Sequence, residues 1–106
     1  MDLGVHVIVP SGILDGTQAA AFRQQVDEAL ERGAKVLLID LKDITFVDSS
    51  GLGVLVACLK KVRTASSKMY VCPINDQVHM LFELTSMERV FEVFPDRAAF
   101  ETGVLR

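Results

Sequence analysis

Lys35-Val-Leu-Leu-Ile-Asp-Leu41 is a near-continuous apolar run of strand length. A strand with one wet face alternates apolar and polar residues. A run of this kind suits a strand covered on both faces, as in a parallel sheet between layers of helices. The neighbouring segments supply those helices. Upstream, Ala19, Phe22, Val26, Ala29 and Leu30 recur at helical spacing, with Arg23, Asp27, Glu28, Glu31 and Arg32 on the other face. Asp15 is placed to cap this helix, Gln18 three residues on completes a capping box, and Gly33 sits where a helix ends. Downstream, a second helix runs from about Gly51 to Thr64 and turns Leu52, Leu55, Val56, Leu59 and Val62 inward. Lys60, Lys61 and Arg63 in its last turns complement the helix dipole.

The rest of the chain extends the same alternation. Val5-His-Val-Ile-Val9 reads as a strand closed by Pro10, which cannot donate to a ladder, and Ser11-Gly12 reads as a turn. Lys68-Met-Tyr-Val-Cys72 is a third strand ended by Pro73, and Val90-Phe-Glu-Val93 a short fourth. A third helix starts near Asn75 or Asp76 and buries Val78, Leu81 and Phe82. A fourth starts at Asp96, after Pro95, and carries Phe100. Strand and helix alternating four times predicts a single α/β domain over residues 1–106. Its sheet is mainly parallel, with about four strands and about four helices joined by right-handed crossovers.

Composition narrows the function classes. Half of the 106 residues are hydrophobic and 24% are charged, which is globular composition. The net charge is −3, from 11 basic and 14 acidic residues, and no basic stripe follows a helix face, so no nucleic-acid partner is expected. The longest apolar run, Leu52 to Leu59, falls far short of the ~20 residues of a membrane span, and the N-terminus lacks the pattern of a signal peptide. The expectation is a cytoplasmic protein with no membrane partner. Cys58 and Cys72 form no Cys-x-x-Cys pair and read as small buried hydrophobes. His6 and His79 are too few and too far apart for a zinc site, so no metal or other cofactor is expected.

One segment carries chemistry: Phe46-Val-Asp-Ser-Ser-Gly-Leu-Gly53, where a strand hands over to the second helix. Ser49 and Ser50 can cap that helix by accepting from free N–H groups of its first turn. Gly51 and Gly53 allow close approach to the backbone. A helix N-terminus favours negative charge, so a phosphate is tolerated there, and Asp48 adds a fixed carboxylate beside the hydroxyls. The bland reading is a capped helix start and nothing more. An enzyme is not expected. The Gly-x-Ser-x-Gly elbow and the Gly-x4-Gly-Lys-Ser/Thr phosphate loop are absent, and no histidine is placed as a base, so no catalytic residue is assigned.

Asp48-Ser-Ser-Gly-Leu-Gly53, preceded by Ile44-Thr-Phe-Val47 and followed by Val54-Leu55, closely resembles the signature of STAS domains. More narrowly it is similar to bacterial anti-sigma factor antagonists. Gly12-Ile-Leu-Asp15, Val36-Leu-Leu-Ile-Asp-Leu41 and Met80-Leu-Phe-Glu-Leu84 extend the likeness over nearly the whole chain. The resemblance implies a binding module switched by phosphorylation. In that family the first serine after the aspartate is phosphorylated by a cognate anti-sigma factor, itself a serine kinase. The unphosphorylated form binds this kinase and releases a sigma factor, and a PP2C-type phosphatase resets the switch. Carried over, Ser49 is the phosphoacceptor, Asp15 and Asp48 are flanking carboxylates, and Ser50, Gly51, Leu52 and Gly53 form the helix entry that meets the partner. The same loop would also serve an alternative role, as a STAS scaffold or regulator subunit of an assembly not acting on a sigma factor.

Two departures from the family pattern bear on geometry. With about nine residues before Pro10, the family's first antiparallel strand is expected to be missing or truncated. The Val5–Val9 edge is then either covered by residues 1–4 or the C-terminal helix, or paired with a second copy. A weak homodimer is favoured, because four residues are fewer than a usual strand of ~5. The family also often has Thr three residues after the aspartate of Gly-x-Leu-Asp; here Gln18 stands there, with Thr17 one place earlier, so the cap is expected to be rebuilt.

Overall fold

The computed structural model describes residues 4–72 and 76–104, with the side chain of Glu88 set aside. In chain order these are β1 (Val5–Ile8), β2 (Ser11–Leu14), α1 (Ala19–Glu31), β3 (Val36–Asp40), β4 (Asp43–Val47), α2 (Ser49–Thr64), β5 (Lys68–Cys72), α3 (Asp76–Leu84), a 3-10 turn (Met87–Arg89), β6 (Glu92–Val93) and α4 (Arg97–Val104). The main sheet runs β1-β3-β5-β6 with every pairing parallel, and β2 and β4 form a second parallel ladder. The expected α/β domain, with a four-stranded parallel sheet and four helices, is the observed one. Pro73 and Asn75, expected to end a strand and begin a helix, lie outside the described residues.

The ladder β2–β4 is a correction. Ser11-Gly12 is a strand, not a turn, and the strand expected to hand over to the second helix at Phe46-Val47, given no bounds by the sequence, spans residues 43–47 and forms its partner. The cause is an interruption at one level of two neighbouring strands. Pro10 separates β1 from β2. Opposite it, the Asp40 carboxylate turns back to accept the Lys42 N–H at 3.0 Å, and Ile44 N–H bonds to Leu41 O, so β3 is parted from β4. Gly12, at φ +80°, permits a bulge. The register steps from Gly12↔Ile44 to Ile13↔Phe46, which leaves Thr45 unpaired in the ladder with its hydroxyl donating to Gly12 O at 3.1 Å.

β3 explains its own sequence. Leu37 and Ile39 face the cluster formed with Phe22, Val26, Leu55 and Val62, while Leu38 faces Tyr70, Cys72 and Phe100 on the other side. Both faces are dry, which requires the unbroken apolar run. On the α4 side Tyr70, Phe94 and Phe100 pack with ring centroids 5.7 Å apart. The buried Asp40 carboxylate accepts from Arg97 Nε at 3.2 Å, tying α4 to the end of the sheet. Lys61 of α2 pairs with Asp27 of α1 instead of serving only the dipole. Cys58 and Cys72 are free and buried, and burial pushes both thiols up, Cys72 to about 11, which leaves little of the reactive thiolate.

Candidate functional site

Two loops leave adjacent strand ends. Leu14 and Val47 are ladder partners, so Asp15 and Asp48 follow at the same level of β2 and β4, and Asp48 N–H bonds to Leu14 O at 3.3 Å. Each aspartate organises the loop behind it. Asp48, in an extended conformation, is the N-cap of α2, and its Oδ1 accepts the Gly51 N–H at 2.8 Å. Asp15 Oδ1 accepts the Thr17 hydroxyl at 2.6 Å, the Thr17 N–H at 2.9 Å and the Gln18 N–H at 3.2 Å. The Thr17 hydroxyl first, then these N–H groups, hold the Asp15 carboxyl below its ordinary value of 3.8 against an opposing effect of desolvation. The stability this turn lends is present above that value and is lost as the pH falls through the lowered folded one.

These contacts correct two expectations. Asp48, not Ser49 or Ser50, caps α2. Asp15 closes the turn before α1, whose N-cap is Gln18 with no side-chain cap bond, so the expected capping box is replaced by a turn built on Thr17. Both serines are consequently spare. Ser49 and Ser50 are exposed, and among the described residues neither hydroxyl has a hydrogen-bond partner. Their own N–H groups, in the first turn, likewise lack an intrahelical acceptor.

The glycines divide. A Cβ on Gly51 would stand 2.1 Å from Leu14 O and 2.9 Å from its carbonyl carbon. Only glycine lets the head of α2 lie against the end of β2. Gly53 is exposed with nothing within 4 Å of such a Cβ, so the expected close approach holds at Gly51 and fails at Gly53. Leu52, expected at the partner surface, is largely buried in the core while reaching the floor of the groove described next.

The two serines open onto different surroundings. Ser50 stands beside the Asp15–Gly16 loop: a Cβ on Gly16 would be 3.9 Å from Ser50 Cβ. Ser49 lies on the wall of a groove of about 450 Å³ between β4 and α3, formed with Phe46, Leu52, Met80, Leu81 and Leu84. Sequence reasoning missed this groove. The signal was available in Met80 and Leu84, an i, i+4 apolar pair off the buried Val78 and Phe82 stripe. Among the described residues no three His, Cys, Asp or Glu side chains gather as a metal site, and no helix is long and apolar enough to cross a membrane.

A parallel sheet flanked by four helices, with an Asp-Ser-Ser-Gly turn at the head of α2, defines the class. The family model for the STAS domain matches residues 2–99, and the chain belongs to that family. Within it, the chain is 33% identical over 92 residues to the anti-sigma F factor antagonist of Paenibacillus polymyxa, covering 86% of this chain and 79% of that one. A crystal structure of an anti-sigma factor antagonist from Mycobacterium paratuberculosis superposes with a TM-score of 0.85 at 26% identity, over 98% of this chain and 88% of the other. The Bacillus cell fate determinant SpoIIAA in its phosphorylated form shares the fold, with a TM-score of 0.68 at 17% identity over 93% and 90% of the two chains.

Proposed function

We propose that this chain is an anti-sigma factor antagonist switched by phosphorylation of Ser49. Unphosphorylated, it binds a cognate anti-sigma serine kinase in the cytoplasm and so releases a sigma factor. The kinase phosphorylates Ser49 and lets go, and a PP2C-type phosphatase restores the serine. The observation that carries this reading is the spare, exposed Ser49 hydroxyl at a helix start already capped by Asp48. A phosphate there breaks no existing bond. Its oxygens meet a helix N-terminus with free N–H groups, and it brings a charge of about −1.5 to −2 at neutral pH. The name of the P. polymyxa relative and the existence of a phosphorylated form of SpoIIAA support the same reading. The protein is a binding partner, not a catalyst of the transfer.

The test is incubation with an anti-sigma serine kinase of the histidine-kinase fold and ATP, followed by mass-spectrometric mapping. One phosphate on Ser49 is expected; a phosphate found only on Ser50 would overturn the assignment.

The outer edge of the sheet supports a weak homodimer. β1 is an edge strand among the described residues, and Val7 and Val9 are exposed on and beside it without a guarding lysine. Sedimentation across a concentration series should show wild-type mass rising at high micromolar concentration and a Val7→Lys variant remaining monomeric. A wild type that stays monomeric throughout would refute the dimer.

A further inference from the structure

We infer that the cavity between the last turns of α2 and the short strand β6 binds a small organic anion, a phosphate or carboxylate group carried on a short apolar body. The cavity lies at the end of the sheet opposite Ser49, about 20 Å from it along α2 at a rise of ~1.5 Å per residue. Binding there needs no part of the switch at Ser49.

The cavity follows from unequal strand lengths. β5 begins at Lys68, but β6 is only Glu92–Val93 and pairs with Tyr70 and Val71. The first two residues of β5 run on without a neighbour on that side, and a hollow of about 400 Å³ stands beside them. Leu59, Met69 and Val90 give it an apolar floor, and the exposed Arg63, Lys68 and Glu92 stand at its rim.

The polar groups of the cavity are largely unspent. Among the described residues Arg63, Lys68 and Glu92 form no ion pair, and the Ser66 hydroxyl makes no hydrogen bond. Ser66 also holds φ +61° just past the C-cap of α2, where glycine is the usual residue, so a hydroxyl is kept at the rim against backbone preference. The main chain adds a donor. Lys68 N–H bonds to Lys35 O on the β3 side, whereas Val71 O accepts the Phe94 N–H on the β6 side. Alternation along the strand therefore turns the Met69 N–H towards β6, and no rung of that ladder reaches it. Met69 is buried, and a buried N–H calls for an acceptor.

The charge pattern fixes the ligand. Two cations and one carboxylate leave the rim net positive in a protein whose net charge is −3. An oxyanion is held by Arg63 and Lys68 and accepts from Ser66 and Met69. Glu92 repels a second negative group, so a single anionic head is selected. The floor takes the apolar body.

The experiment is an NMR titration of the full chain, following backbone amides, with phenyl phosphate as probe and inorganic phosphate and benzyl alcohol as comparisons. Phenyl phosphate should give saturable shifts at Ser66–Met69 and Glu92. Inorganic phosphate should bind there more weakly and benzyl alcohol not at all. Arg63→Gln combined with Lys68→Gln, both at exposed positions, should weaken phenyl phosphate at least tenfold, and Glu92→Gln, tested separately, should tighten it severalfold. Shifts that do not saturate, that centre on the head of α2, or that persist unchanged in the double variant would overturn the site. Benzyl alcohol binding as well as phenyl phosphate, or Glu92→Gln binding no tighter than wild type, would overturn its selection of a single anion.

Discussion

Gly51→Ala is expected to cost about 3 kcal/mol or more of stability, because overpacking here acts against backbone and not against a movable side chain. The added Cβ would sit 2.1 Å from Leu14 O, so α2 or the end of β2 must shift. A shift breaks the Asp48 N–H bond to Leu14 O and disturbs the packing of Leu52 and Leu55 beneath the helix. For a domain of this size a loss of that order lowers the thermal midpoint by about 10 °C or more. Gly53→Ala is the internal control. It lies in the same helix with open space around it, and there alanine should stabilise by roughly 0.5–1 kcal/mol through helix propensity. Thermal unfolding of the two variants side by side checks the account. A Gly51→Ala protein that melts within a few degrees of wild type would mean that the close approach does not constrain this fold.

Much of this architecture was legible before the structure. The run at Val36–Leu41 announced a strand dry on both faces, and the 3.6-residue recurrence in α1 and α2 gave those helices to within about two residues. What was not legible has definite causes. β4 shows burial at Ile44 and Val47 with Thr45 and Phe46 both exposed, an interval of three. The bulge at Thr45 removes the period of two that a sequence reader looks for. β2 begins Ser-Gly after a proline, a composition that normally turns the chain, and it is held as a strand only by its partner.

The site was legible in identity but not in division of labour. Asp48, Ser49 and Ser50 are all good N-cap residues, and sequence preference does not choose among them. The choice is made by where β4 ends. Val47 completes the ladder with Leu14, so Asp48 is the first residue past the strand, extended, and it takes the cap. That leaves both hydroxyls spare. The groove was invisible for a different reason: its lining comes from β4 and α3, about thirty residues apart, and an exposed apolar residue carries no meaning until its neighbours are known.

The second large effect concerns charge at Ser49. Ser49 neither caps α2 nor packs in the core, so replacing it should change stability by no more than about 0.5 kcal/mol. Partner affinity should behave quite differently. Ser49→Asp places a carboxylate beside Asp48 at the mouth of an apolar groove, on the surface that the proposed partner contact would remove from water. A loss on the order of a hundredfold, about 2.8 kcal/mol, is expected from desolvation and like-charge proximity together. Ser49→Ala keeps the groove uncharged, cannot be phosphorylated, and should stay bound in the presence of ATP.

The most direct measurement is a calorimetric titration of the anti-sigma kinase with wild type, Ser49→Ala and Ser49→Asp, repeated on wild type phosphorylated at Ser49. The account requires wild type and Ser49→Ala to bind alike, and Ser49→Asp and the phosphoprotein to bind about a hundredfold more weakly or not at all. Equal affinity of the phosphoprotein and the unmodified protein would contradict it.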